Sequence, residues 1–201
     1  MHDLNERGTL QLLVKKYPNG RASGHMHSLA PGDELTVRGP IPTYSWKPSP
    51  QPQNVLLVAG GAGITPIYSL AKGILANPED QTKMQLLWGV NGTGDISLKD
   101  ELEALQRKFP ERLRVTYVLS GPEGRAEAER LGEGEKFMKG YIDEGVMRKS
   151  LGLMGDRSGW GDVQGTQVFF CGPPGMQEAI AGKKGLLIDK MGFEKKAVHC
   201  F

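Results

Sequence analysis

One stretch constrains the fold of this chain more than any other: an apolar run, Val55–Ala59, that passes into the glycine-rich segment Gly60–Gly63 and then Thr65-Pro66. An apolar run without alternation is typical of a strand buried on both faces of a parallel sheet. Glycines after such a strand let the backbone turn sharply and approach a pyrophosphate closely. A helix starting here would direct its first N–H groups at the same place. The stretch therefore predicts a dinucleotide-binding turn.

This turn differs from the common G-x-G-x-x-G fingerprint of dinucleotide-binding folds. Pro66 stands where the third glycine would be. Proline suits the first turn of a helix because its missing N–H would have no partner there. Taken alone, the turn is also compatible with a purely structural role.

A second strand, turn and helix follow the same layout near the end of the sequence. The strand pattern Gln167–Cys171 passes into Gly172, Pro173 and Pro174, and a helical pattern covers residues 174–191. Open α/β sheets bind ligands at the carboxyl ends of their strands. Two such turns favour a nicotinamide nucleotide site over a structural turn.

Between and around these turns, strand and helix patterns alternate. The predicted strands cover residues 54–59, 84–90, 112–119, 166–171 and 196–200. The predicted helices cover residues 66–76, 97–109, 140–150 and 174–191, with surface loops at 121–138 and 152–165. This alternation predicts an α/β nucleotide-binding domain with a parallel five-stranded sheet and helices on both faces.

The first part of the chain has a different pattern. It predicts strands at residues 8–16 and 35–39, with a short helical turn at 23–29 between them. The stretch 40–52 contains five prolines and is typical of a linker or surface loop. We therefore expect two domains, an all-β fragment at 1–46 and the α/β domain at 47–201.

Composition and motifs exclude several classes of function. The net charge of +2 gives no electrostatic argument for nucleic acid. Two cysteines form neither a disulfide framework nor an iron–sulfur pattern. His25 and His27 have no third ligand nearby in sequence, so no metal site is predicted. No Ser-His-Asp or Cys-His pattern supports a hydrolase. No apolar run approaches the ~20 residues that span a bilayer, so we expect the chain itself to be soluble.

The motifs occur in an order that resembles the NADH–cytochrome b5 reductase branch of the ferredoxin–NADP reductase superfamily, over roughly residues 8–201. They are Gly20–Ser23, Pro31–Asp33, Arg38–Pro40, Gly60–Pro66, Asp95-Ile96 and Cys171–Met176. The resemblance implies a two-domain flavoenzyme, with FAD on an antiparallel β-barrel and the nicotinamide nucleotide on an α/β domain. It further implies electron transfer from NAD(P)H through FAD to a one-electron acceptor, cytochrome b5. The family location is the cytosolic face of the mitochondrial outer membrane or the endoplasmic reticulum.

The resemblance also implies roles for individual residues. Thr65 would lie beside the isoalloxazine ring, and Cys171 would help to place the nicotinamide hydride over the flavin; these two are the catalytic residues. The backbone of Gly20, Arg21 and Ala22, with the Ser23 hydroxyl, would hold the FAD pyrophosphate. The implied cofactor-binding residues are Lys15, Gly20, Arg21, Ala22, Ser23, Gly60, Gly61, Gly63, Thr65, Pro66, Ser120, Cys171, Gly172, Pro173, Pro174 and Met176.

Two departures from the family pattern affect this interpretation. The flavin motif Arg-x-Tyr-(Ser/Thr)-x-x-Ser is absent, so we expect a chain that begins within the barrel and forms only part of it. The alternatives are a non-catalytic NAD(P)-binding module or the reductase domain of a larger flavohaem enzyme. Ser120 stands where the NADH enzymes often place an acidic residue, with Arg125 nearby. NADH is favoured by the overall likeness, and NADPH remains open.

Overall fold

The computed structural model describes residues 8–39, 41, 44–51, 53–132, 136–158 and 163–201, with the backbone alone at 153–158. The chain separates into two compact units, Met1–Trp46 and Lys47–Phe201. The larger unit contains every strand that the structure describes.

In the described part of the first unit there is one α-helix, α1 (Arg21–Ser28). This confirms the predicted helical turn, which begins two residues earlier than expected. The strands predicted at 8–16 and 35–39 are not formed among the described residues, so the structure does not show the partial barrel. A strand requires a hydrogen-bonded neighbour, and the leucines that suggested one are largely exposed, with Leu10 at 72% and Leu12 at 56%.

The second unit is built on a parallel sheet, as predicted, but with six strands instead of five. The strands are β1 (Asn54–Gly60), β2 (Lys83–Val90), β3 (Leu113–Leu119), β4 (Phe137–Lys139), β5 (Gln167–Cys171) and β6 (Val198–Cys200). Their order across the sheet is β4-β3-β2-β1-β5-β6, and every neighbouring pair is parallel. The strand that the prediction missed, β4, spans three residues, too few to show a periodic pattern.

Among the residues described in this unit, five α-helices accompany the sheet. They are α2 (Ile64–Ala76), α3 (Lys99–Lys108), α4 (Pro122–Leu131), α5 (Glu144–Ser158) and α6 (Pro174–Ala181). The surface loop predicted at 121–138 was wrong over most of its length, because it contains α4 as well as β4. The predicted helix 174–191 is interrupted after Ala181, and a separate turn of π-helix covers Leu186–Lys190.

The central strand β1 explains why its sequence does not alternate. Its residues Val55–Ala59 are all fully buried. Leu56 and Val58 pack in a cluster with Met147 of α5 and Ile180 of α6. Residues on the other face of β1 are equally buried, and α2 contacts both β1 and β5. Helical layers on both faces leave no position for a polar side chain on this strand.

The strand order also creates a topological switch point. From β1 the chain builds β2, β3 and β4 successively towards one edge of the sheet, and then crosses to form β5 on the other side of β1. The connections leaving β1 and β5 therefore diverge, which opens a crevice at their carboxyl ends. Open α/β sheets bind their ligands at such a crevice.

Candidate functional site

The first wall of the crevice is the glycine turn that follows β1. The strand ends at Gly60, a single 3₁₀ turn covers Gly61–Gly63, and α2 starts at Ile64. Gly61 has a φ of +51°, a conformation that glycine adopts without the steric cost of a side chain. The Thr65 hydroxyl donates a hydrogen bond to the Ala62 carbonyl at 3.1 Å, which ties the first turn of α2 to the glycines.

The second wall is the segment from Cys171 to Met176, which packs directly against the first. A methyl group built on Gly63 would collide with the Cys171 carbonyl, and one built on Gly60 would lie 2.5 Å from Met176 Sδ. A methyl on Gly172 would lie 3.4 Å from Gly60 Cα in the first turn. The glycines are therefore needed for the contact between the two turns. The structure therefore brings together Gly60, Gly63, Cys171 and Met176, four of the residues that the resemblance assigned to cofactor binding.

The buried side chain of Trp88, in β2, is hydrogen-bonded to the backbone of the glycine turn. This side chain is 1% exposed, and its Nε1 donates a hydrogen bond to the Gly61 carbonyl at 2.9 Å. Sequence reasoning assigned it no role. The available signal was an indole N–H in a buried strand, because a buried tryptophan N–H usually finds an acceptor.

Cys171 ends β5, where it is paired with Ala59. Its Sγ lies 3.7 Å from the Phe201 carbonyl oxygen, which accepts a weak hydrogen bond from the thiol. Burial raises the pKa of the Cys171 thiol, and the neighbouring Cys200 adds to the shift. The thiol is therefore neutral at physiological pH, and the side chain serves as a compact apolar contact at the strand end.

Pro173, Pro174 and Met176 form the start of α6. Pro174 occupies the first helical position, where its missing N–H needs no partner. Pro66 is the third residue of α2 and so also lies in a first helical turn. Each strand of the crevice is thus followed by a helix whose first turn includes a proline, and both N-termini carry partial positive charge that favours an anion.

Ser120 lies at the same edge of the sheet, directly after β3. Its hydroxyl and its backbone N–H both donate to the Val90 carbonyl, at 3.1 and 2.9 Å. Arg125 of α4 donates from Nε to the Ser120 carbonyl at 3.1 Å, and its guanidinium lies 5.4 Å from the centre of the Tyr141 ring. Tyr141 was not predicted from the sequence as a site residue.

The first unit contains the residues that the resemblance assigned to FAD. Gly20 precedes α1, its N–H donates to the Tyr17 carbonyl at 3.1 Å, and the Tyr17 N–H donates to Ser23 Oγ at 3.3 Å. These bonds bring Gly20, Arg21, Ala22 and Ser23 into one tight turn at the helix start. The Lys15 ammonium lies 6.0 Å from the Tyr17 ring centre.

Within the described residues, no group of three His, Cys, Asp or Glu side chains is placed to hold a metal ion. His27 Nε2 lies 2.9 Å from the Val14 carbonyl oxygen. Among all the residues that the structure describes, no helix has the length and apolar character needed to cross a membrane.

Comparison with protein-family models gives two matches. The model described as "Oxidoreductase NAD-binding domain" matches residues 57–182. The model described as "Oxidoreductase FAD-binding domain" matches residues 1–46.

Individual relatives agree with these matches. A protein named NADH-cytochrome b5 reductase 2 from Phaeosphaeria nodorum is 36% identical over 99% of this chain and 57% of its own length. Its namesake from Chaetomium globosum is 42% identical over 91% of this chain and 48% of its own length. The chain thus spans about half the length of these curated relatives. The cytochrome b5 reductase domain of Ulva prolifera nitrate reductase superposes with a TM-score of 0.68, at 33% identity, over 90% of this chain and 66% of that domain.

Proposed function

Since the chain belongs to the family of oxidoreductase NAD-binding domains, in the branch of the NADH–cytochrome b5 reductases, we propose that it binds a nicotinamide dinucleotide between β1 and β5. We propose that this binding serves electron transfer from NADH through FAD to cytochrome b5. The acceptor is proposed from the names of the relatives. A cytosolic site at the mitochondrial outer membrane or the endoplasmic reticulum is proposed from the family resemblance.

One observation carries the nucleotide-binding proposal: two glycine turns meet at the switch point of a parallel sheet. Gly63 leaves no room for a side chain beside the Cys171 backbone, so the two turns form one continuous backbone surface. The starts of α2 and α6 both belong to this surface. A pyrophosphate suits it, because exposed peptide groups and two helix N-termini favour a compact anion.

The residues of the first unit fit the pyrophosphate of FAD. The turn at Gly20–Ser23 starts α1 and includes the Arg21 side chain, so peptide groups and a guanidinium are available to an anion. Gly20 is needed there, because a methyl group in its place would collide with Ser23 Oγ. Bound FAD would supply the hydride acceptor and pass electrons singly to a haem. By resemblance, Lys15 is assigned to cofactor binding near the flavin ring and the nicotinamide, and not to the pyrophosphate.

Thr65 and Cys171 are the side chains that we assign to the nicotinamide. Thr65 lies in the first turn of α2 and is held by Ala62, and Cys171 ends β5. Both side chains are short and uncharged. They would therefore position the nicotinamide ring by contact, without taking part in proton transfer. Gly60, Gly61, Pro66, Gly172, Pro173 and Met176 complete the surface that would hold the nucleotide.

Binding of nucleotide and flavin to the purified full chain tests this function. We expect NADH to bind in calorimetry, added FAD to give protein-bound absorbance, and the reconstituted protein to reduce ferricytochrome b5. NADH binding without FAD uptake would identify a non-catalytic nucleotide-binding module. A chain that binds no nicotinamide nucleotide at all would contradict the proposal.

The Cys171→Ala variant tests the role of the thiol. If Cys171 positions the ring, the rate of flavin reduction by NADH falls while the Kd for NADH changes less. Cys200→Ala is the matched control, because Cys200 is the other cysteine of the chain and lies on the adjacent strand. Equal reduction rates for the wild-type protein and Cys171→Ala would refute this role.

A further inference from the structure

A row of aromatic side chains crosses the sheet and ends next to the first glycine turn. Trp88, Tyr117 and Phe137 are in register on β2, β3 and β4, and Ala59 of β1 continues the row. The ring centres of Trp88 and Tyr117 are 6.0 Å apart, and those of Tyr117 and Phe137 are 5.5 Å apart. Trp88 and Tyr117 are each 1% exposed. Packing therefore fixes the indole ring of Trp88, and its N–H group reaches the turn.

The contact between this row and the turn is the hydrogen bond from Trp88 Nε1 to the Gly61 carbonyl, at 2.9 Å. The same carbonyl accepts the Ile64 N–H, and the two lone pairs of a carbonyl oxygen allow both bonds. Nε1 is the only hydrogen-bonding atom of a tryptophan side chain. Burying it without an acceptor would be costly, so the packed indole strongly favours this position of the carbonyl.

The bond acts on a residue that packing does not hold. Gly61 has a φ of +51°, and glycine adopts positive and negative φ values with similar ease. A methyl group built on Gly61 would meet no atom within 4 Å, whereas one built on Gly60 or Gly63 would collide with the second turn. The Trp88 side chain therefore restrains a peptide that contacts at its Cα leave free to rotate.

The direction of the Gly61 carbonyl also sets the direction of the next N–H group. A trans peptide is planar, so the Gly61 C=O and the Ala62 N–H point to opposite sides of the chain. Because the carbonyl faces the buried indole, the Ala62 N–H points away from the aromatic row. The Ala62 carbonyl is held by the Thr65 hydroxyl at 3.1 Å. The peptide between Gly61 and Ala62 is thus held in one orientation from both ends.

We propose that Trp88 is a positioning residue for the dinucleotide: by holding the Gly61 carbonyl, it directs the Ala62 N–H at the bound pyrophosphate. The inference rests on the proposed nucleotide site and deepens it, because it names the side chain that prepares the turn for the anion. A donor that already has its bound orientation need not be ordered on binding, which improves affinity. Since Trp88 is buried, it acts through the backbone, and its effect is specific to ligands that carry the pyrophosphate.

The Trp88→Phe variant of the full chain tests the inference, because it removes the indole N–H and keeps an aromatic ring. We expect the Kd for ADP-ribose, which contains the pyrophosphate, to rise about 3- to 10-fold, the range for one lost hydrogen bond. The Kd for adenosine, which has no phosphate, should change by less than about 2-fold. A merely structural role would weaken the binding of both ligands together.

Tyr117→Phe is the matched control. It removes one polar atom from the neighbouring ring of the same row, and among the described residues the Tyr117 hydroxyl has no hydrogen-bond partner. Both Kd values should stay as in the wild-type protein. An unchanged Kd for ADP-ribose in Trp88→Phe, or equal losses for ADP-ribose and adenosine, would overturn the inference.

Nuclear magnetic resonance of the ¹⁵N-labelled wild-type chain tests the same bond without a substitution, and decides the matter if Trp88→Phe does not fold. The Trp88 indole N–H, assigned through its nuclear Overhauser contacts with the Tyr117 ring, should be protected from solvent exchange. It should shift on saturation with ADP-ribose and stay in place with adenosine. An unprotected indole, or no shift with bound ADP-ribose, contradicts the positioning role. If the wild-type chain binds neither ADP-ribose nor NADH, the proposed function itself fails.

Discussion

At the scale of single residues, the candidate site depends on glycines and on an uncharged thiol as much as on chemically reactive side chains. Cys171 was predicted from its motif, and the structure places it at the end of β5 beside Gly63. Trp88 and Tyr141 were missed. Their contributions come from partners distant in sequence, the Gly61 carbonyl and the Arg125 guanidinium, and no local pattern shows such partners.

Alkylation of Cys171 should show the effect of burial on its thiol. Because burial raises the thiol pKa, the folded protein retains this proton to higher pH than the unfolded chain does. The resulting stabilisation is complete below the unfolded pKa and is lost as the pH rises through the folded one. In a Cys200→Ser background, the rate of carbamidomethylation measured by mass spectrometry should still be rising above about pH 8.5, where free cysteine ionises.

The same variant unfolded in urea serves as the reference for this measurement. Its alkylation should follow the profile of free cysteine. A rate for the folded protein that levels off below pH 8 would mean that the thiolate is stabilised, and would contradict the neutral thiol described above.

At the scale of elements, the long apolar strands and the helices α2 and α3 were predicted well, and the short or glycine-rich elements were not. The helix predicted at 174–191 ends at Ala181, and α5 extends to Ser158, into the surface loop predicted at 152–165. α4 contains Gly124, whose position is dictated by the approach of the Asn91 carbonyl and not by helix propensity. β4 is three residues long and depends on its pairing with β3. The strands predicted at 8–16 and 35–39 are the converse case, since they were predicted but are not formed among the described residues. A strand-like sequence pattern alone does not supply the partner strand that a sheet requires.

Two alanine substitutions in and beside α2 should have opposite effects. Gly63→Ala forces a methyl group into the Cys171 backbone, and we expect it to lower the free energy of unfolding by about 1–3 kcal/mol and to weaken nucleotide binding. Gly73→Ala adds a methyl group to open space within α2. It should raise the free energy of unfolding by up to about 1 kcal/mol and leave nucleotide binding unchanged. Urea unfolding and calorimetric titration measure both effects. Normal nucleotide affinity in Gly63→Ala would show that the contact between the turns is not needed for binding.

At the scale of the whole molecule, the sequence predicted an α/β domain with a parallel sheet, and the structure confirms it with one additional strand. The order β4-β3-β2-β1-β5-β6 could not be read from the sequence, because strand order depends on how the crossover connections pack. The division into two domains, with the first as an FAD-binding fragment, remains a proposal supported by the family model for residues 1–46.

The unit Lys47–Phe201 should fold when expressed alone. It contains every strand that the structure describes, together with α2, α3, α4, α5 and α6, and all members of the buried cluster around β1 belong to it. We expect a single cooperative transition in thermal unfolding and NADH binding within a few-fold of the full chain. A fragment that aggregates or melts without cooperativity would show that the first 46 residues contribute to the core.

The pairing of β1 with β5 also bears on how the crevice forms over time. Val55 pairs with Gln167, so the two walls of the crevice come from distant parts of the chain. Closing a loop of this length costs conformational entropy before the contact yields any stabilisation, which slows its formation relative to local pairings. A nascent chain on the ribosome therefore has its first glycine turn long before it has a crevice. Nucleotide binding would accordingly appear only late in synthesis, once β5 has been released to dock beside β1.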